Sequence, residues 1–90
     1  FVLKVKGNSM IEDHIQDEDY VIVERRDVAE NGETVVALID NDRATLKRFY
    51  REKGRVRLQP AHPNMKPIIL REGDFAIQGV VIGLLRKFDK

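Results

Sequence analysis

Residues 33–50 read ETVVALIDNDRATLKRFY, and this stretch decides the fold class. Thr34 to Ile39 is a nearly continuous apolar run of strand length, the signature of a strand buried on both faces. Asp40-Asn41-Asp42 predicts a hairpin tip, and Ala44 to Arg51 returns as the partner strand. Just upstream, Asn31-Gly32 supplies a turn that tolerates positive φ. Working outward, Tyr20 to Glu24 is rich in β-branched residues and is entered through the acidic turn Asp17-Glu18-Asp19. Val2 to Lys6 alternates, with Phe1, Leu3 and Val5 on one face. On the other side, Glu52-Lys53-Gly54 turns the chain into Val56 to Leu58, and Pro60, Pro63 and Pro67 mark a looser connection. Pro67 to Leu70 and Phe75 to Leu85 are the last expected strands, with Gly79 and Gly83 as bend or bulge positions where another backbone comes close. The reading is an all-β domain: a small, bent, partly closed, mostly antiparallel sheet.

Ninety residues provide for one domain with one modest core. Sixteen basic against 15 acidic residues leave a net charge of +1, which argues against a dedicated nucleic-acid surface. With no cysteine, a disulfide framework and thiolate metal sites are excluded, and a reducing cytoplasm is the expected compartment. The apolar runs fall far short of the ~20 residues that span a bilayer, so no membrane association is expected. Phe1 opens directly into strand-like sequence without a signal peptide, the start expected of an excised domain. Internal repeats and low-complexity tracts are absent from the sequence.

The chemistry centres on GNSMIEDHI, Gly7 to Ile15, where a serine stands on the exit turn of the first strand. Ser9 can be read as a cap for a short helical turn or as a nucleophile, and a serine nucleophile needs a base from elsewhere. His14 lies on the same loop and His62 in a proline-flanked one, so both read as surface residues, and two isolated histidines make a poor metal set. No metal or cofactor is expected. The alternative base is a lysine. In ATLKRFY, alternation puts Thr45, Lys47 and Phe49 on one face and Leu46, Arg48 and Tyr50 on the other. Both faces carry a charge, so periodicity leaves open which one points inward. At pH 7 a lysine of ordinary pKa, about 10.4, is neutral only a few times in ten thousand. Burial lowers that pKa, at a cost in stability of about 1.4 kcal/mol per pH unit.

Taken together, these residues resemble the self-cleaving C-terminal domain of the LexA family, the SOS repressors of bacteria. FVLKVKGNSMI is similar to the strand and nucleophile loop of that family, DEDYVIV to its next strand and NGETVVALID to its central one. ATLKRF resembles its T-x-K-R element, while RLQPAHPNMKPI and IQGVVIGLLRKF look like its later strands. The resemblance covers essentially the whole chain, and residues 1–90 would then be a catalytic and dimerisation domain. It implies a Ser-Lys dyad peptidase, with Ser9 as nucleophile and neutral Lys47, 38 positions on, as general base. The backbone N–H groups of Asn8 and Ser9 would form the oxyanion hole, aimed by a tight turn at Gly7. Thr45 would orient the amine, and Met10 and Ile11 would pack beneath the loop.

The substrate implied is a segment of the chain's own upstream hinge, with operator DNA bound by a separate N-terminal domain. Also implied are a homodimer using Val80 to Arg86 and stimulation by the RecA–single-stranded-DNA filament. Relatives commonly carry glycine where Glu18 stands, so a positive φ there would strain this chain by about 1 kcal/mol. Three rivals stand beside this reading. Signal peptidase shares the dyad but would want a membrane anchor and a proline soon after Ser-Met. A UmuD-like mutagenesis subunit would differ in its upstream region. A dimerisation module with an idle dyad would fail an acylation assay.

Overall fold

The computed structural model describes residues 1–40 and 43–87; Asn41 and Asp42, at the expected hairpin tip, lie outside the described residues. Alternation and β-branching resolve among these residues into seven strands: β1 (Val2–Lys4), β2 (Tyr20–Arg25), β3 (Thr34–Ile39), β4 (Arg43–Glu52), β5 (Arg55–Gln59), β6 (Ile68–Leu70) and β7 (Phe75–Leu85). They form one antiparallel sheet in the order β1-β2-β7-β3-β4-β5-β6. The curled, mostly antiparallel all-β architecture expected from the sequence is therefore the observed one. β3, the nearly continuous apolar run, is the middle strand of the seven and is hydrogen-bonded on both edges.

Because β3 is buried on both faces, its alternate residues serve two apolar clusters. Val35, Ala37 and Ile39 join Phe49, Val56, Leu58, Ile77 and Val80 in one. Val36 joins Val5, Met10, Ile15, Val21 and Val23 in the other. Each buried aliphatic or aromatic side chain of this kind contributes roughly 1.5–3 kcal/mol relative to an exposed one. The second cluster reaches from the central strand to Met10, and so fixes the Gly7–Ile15 loop onto the sheet.

Both glycines of β7 sit where the sequence places bends. The β3–β7 register slips between Val36 and Ala37, beside Gly79, and the β2–β7 register slips between Ile22 and Val23, beside Gly83. A Cβ at Gly79 would lie 2.5 Å from the Glu24 carbonyl oxygen, so only glycine lets the two backbones approach there. The bulges add twist, which curls the sheet.

β1 is shorter than its alternation predicts, ending at Lys4 rather than Lys6. Val5 still donates to the Asp19 carbonyl and accepts from the Glu18 N–H. The ladder breaks there because Glu18 has φ 76°, a left-handed turn that carries the acidic segment away from β1. The Asn31-Gly32 turn takes its positive φ at Gly32, 91°.

Candidate active site

Gly7 leaves β1 with φ 86°, a conformation that glycine adopts without strain. Its N–H donates to Asp17 Oδ1 at 2.6 Å, and the Asp17 N–H donates back to Asn8 Oδ1 at 3.2 Å. This reciprocal pair closes the base of the loop. Beyond it, Met10 is buried at 1 % exposure, and a single 3₁₀ turn, Ile11–Asp13, follows. The Glu12 N–H donates to the Ala61 carbonyl at 2.8 Å, and the Ala61 N–H to Met10 Sδ at 3.4 Å. Ser9 does not cap this turn: Met10 occupies the cap position and no side chain caps it. The capping reading of Ser9 therefore falls away, and its hydroxyl is directed elsewhere.

That direction is toward β4. Thr45, Lys47 and Phe49 face inward, and Lys47 is buried at 7 % exposure. Lys47 Nζ lies 3.0 Å from Ser9 Oγ, donates to Thr45 Oγ1 at 2.8 Å and donates to the Leu46 carbonyl at 3.1 Å. Among the described residues it has no carboxylate partner. Burial holds its pKa below the usual lysine range, because desolvation penalises the ammonium and no anion offsets that penalty. A neutral amine has two N–H groups and one lone pair. Thr45 Oγ1 and the Leu46 carbonyl can take the two N–H groups, which leaves the lone pair for the Ser9 hydroxyl proton.

Of the residues singled out in the sequence, Ser9, Thr45 and Lys47 meet at Nζ across 38 positions, while Gly7 and Asn8, on the same loop as Ser9, bond Asp17. The N–H groups of Asn8 and Ser9 make no hydrogen bond among the described residues. Neither histidine bonds Ser9: His14 is exposed, and His62 accepts from the Asn64 N–H. Among the described residues no three His, Cys, Asp or Glu side chains converge as a metal would require. A cavity of about 350 Å³ opens beside Ser9 and Lys47, lined by Leu3, Val5, Met10 and Leu46 among others. Its walls are mixed, with Lys4, Lys6 and Thr45 beside these apolar side chains.

Sequence reasoning missed two supports of this loop. Asp17 closes its base, and Arg48, the neighbour of Lys47, pairs with Asp13 at 2.6 Å. The signal for Arg48 was its charge on the second face of β4, which periodicity alone left unexplained.

A serine hydroxyl facing a buried, anion-free lysine on a curled antiparallel sheet defines a peptidase-type domain. Comparison with known proteins agrees: the family described as Peptidase S24-like matches residues 1–82, and the chain belongs to it. Within that family it is similar to LexA repressors. It is 54% identical over 88 residues to the LexA repressor of Koribacter versatilis, covering 98% of this chain and 42% of that protein. To the LexA repressor of Caldicellulosiruptor saccharolyticus it is 55% identical over 87 residues, 97% of this chain and 42% of that one. For the LexA repressor of Bacillus subtilis the figures are 51% over 86 residues, 96% and 41%. The chain thus spans about two-fifths of the length of these relatives. No helix among the described residues is long and apolar enough to cross a membrane.

Proposed function

We propose that residues 1–90 are the self-cleaving and dimerising domain of an SOS repressor of the LexA type, a serine endopeptidase acting through a Ser9–Lys47 dyad. The observation that carries this reading is the 3.0 Å contact between Ser9 Oγ and a buried Nζ without a counter-anion. Neutral Lys47 takes the hydroxyl proton as Ser9 Oγ attacks the carbonyl carbon of the scissile peptide. The carbonyl oxygen becomes an oxyanion, received by the Asn8 and Ser9 N–H groups. The Lys47 ammonium then gives its proton to the departing amine nitrogen, leaving an ester on Ser9. A water that loses its proton to Lys47 hydrolyses the ester, and the proton returns to Ser9 Oγ.

The substrate is a segment upstream of Phe1, and the cut ends repression by severing this domain from an N-terminal operator-binding one. Exposed apolar side chains at the end of β7, Ile82, Leu84 and Leu85, support a homodimer formed through Val80 to Arg86. Stimulation by the RecA–single-stranded-DNA filament and a cytoplasmic setting complete the proposal; both rest on the likeness to LexA repressors. The test uses a longer form of the chain, with its natural upstream segment and Ser9→Ala, as substrate for the wild-type domain. Cleavage into two fragments, faster with the filament added and lost when the added domain also carries Ser9→Ala, is the expected result. An intact substrate at every pH would overturn the proposal.

A further inference from the structure

Lys47 and Arg48 are consecutive on β4 and therefore point to opposite faces, yet both bond the same loop. Lys47 reaches Ser9, and Arg48 reaches Asp13 four residues further on. A loop can contact both faces only by passing around a strand edge, and β4 has one open edge at this point. Its β3 edge is paired from Arg43 through Arg48, whereas pairing with β5 begins only at Arg48. The nucleophile loop therefore straddles the unpaired β5-side edge of β4 at 43–47. Among the described residues, these two contacts are its only side-chain bonds to that strand. The remaining ties run to Asp17, to Ala61 and, at the His14 carbonyl, to Arg86.

Asp13 is a poor candidate for a purely stabilising residue. Its second oxygen, Oδ2, is buried and has no hydrogen-bond partner among the described residues, an arrangement that costs stability. What a charged pair of this kind can supply is register. We infer that Asp13 and Arg48 are positioning residues: gripping the loop from the face opposite Lys47, their pair fixes where Ser9 Oγ sits along β4, and so its distance to Nζ. The inference rests on the dyad reading above. It assigns no contact with substrate to either residue.

The test is the rate at which a fluorophosphonate probe labels Ser9 in the folded chain across a range of pH. Arg48→Met and Asp13→Asn should each slow labelling by about ten- to a hundredfold. Each variant removes one charge, but that charge lies on the face opposite Lys47 and touches none of the partners of Nζ, so the pH at which the rate is half-maximal should stay close to where Lys47 sets it. The swap Asp13→Arg with Arg48→Asp rebuilds the pair in reverse and should recover most of the rate. Should either single variant fail to fold by circular dichroism, the swap and Arg48→Lys, which keeps charge and reach, carry the comparison. Single variants that fold and label at the wild-type rate, or a folded swap as slow as the singles, would overturn the inference. Labelling of wild type that Ser9→Ala abolishes keeps the dyad reading intact in either case. A wild type that never labels would remove both readings.

Discussion

Asp19 and Lys47 are the two buried charged residues among those described, at 3 % and 7 % exposure, and the fold treats them in opposite ways. Asp19 is fully matched: Arg86 Nε and Nη2 each donate to it at 2.8 Å, and the Gln16 N–H adds a third bond at 2.8 Å. The Arg86 hydrogen bonds, with the Gln16 N–H, hold its carboxyl down to about 2. Lys47 has two neutral acceptors, a hydroxyl and nothing negative. Where this protein needs a permanent buried charge, it provides the opposite one in bidentate geometry. Where it leaves a charge unmatched, the group is inclined to give its proton up. The difference separates a structural ion pair from a group suited to acid–base chemistry.

The largest expected effect breaks the comparison on the Lys47 side. Lys47→Met removes the group proposed as general base, so labelling or cleavage through Ser9 should fall by about 10²–10⁴-fold. In the unaltered protein the rate should climb as pH rises through the lowered Lys47 pKa and then level off. A rate that ignores pH, or one that Lys47→Met leaves intact, would return Lys47 to the structural class.

Stability should move the other way. The folded-state pKa of Lys47 lies below its unfolded value, so between the two the unfolded chain binds the extra proton. Wild-type stability therefore rises with pH from the folded pKa toward about 10.4. Lys47→Met lacks this term, so it should melt higher than wild type at neutral pH, with the gap closing as pH approaches that limit. Thermal melts across the range decide it; a variant less stable than wild type at pH 7 would mean that the amine is well solvated.

The Asp19 side sharpens the contrast with the opposite sign. Its folded pKa is depressed, so its contribution is present above about 3.8, the ordinary value, and is lost as pH falls through about 2. Asp19→Asn should melt lower than wild type at pH 7, and the difference should shrink in acid. A difference that stays constant down to pH 2 would mean that the carboxylate charge contributes nothing.

The two centres were not equally legible in the sequence. Lys47 announced itself through an aromatic on its own strand face and a spacing to Ser9 shared with the LexA family; only its inward orientation needed the fold. Asp19–Arg86 was invisible. Its partners are 67 positions apart, and they meet because β7 pairs with β2, setting Tyr20 opposite Leu85. Local alternation located both strands, β7 with both ends correct and β2 to within a residue, but it carries no information on which strand lies beside which. The Asp13–Arg48 pair was hidden for a related reason. That a loop wraps an edge depends on where the neighbouring strand begins to pair, and strand ends are set by tertiary contacts.

The smallest expected effect concerns the turn that delivers Asp19. Glu18 holds φ 76°, where a Cβ crowds the following carbonyl. What it receives in return is slight: a 3.5 Å contact with Lys4, both side chains well exposed, of the kind that contributes between nothing and about 1 kcal/mol. Glycine relieves the crowding but raises the entropy of the unfolded chain, which offsets part of the gain. Glu18→Gly should therefore stabilise the domain by about 1 kcal/mol or less in denaturant melts, without altering the rate at Ser9. If the variant is instead less stable, the Lys4 contact outweighs the strain. The acidic turn would then belong with Asp19 among the matched charges rather than being a distortion that the chain tolerates.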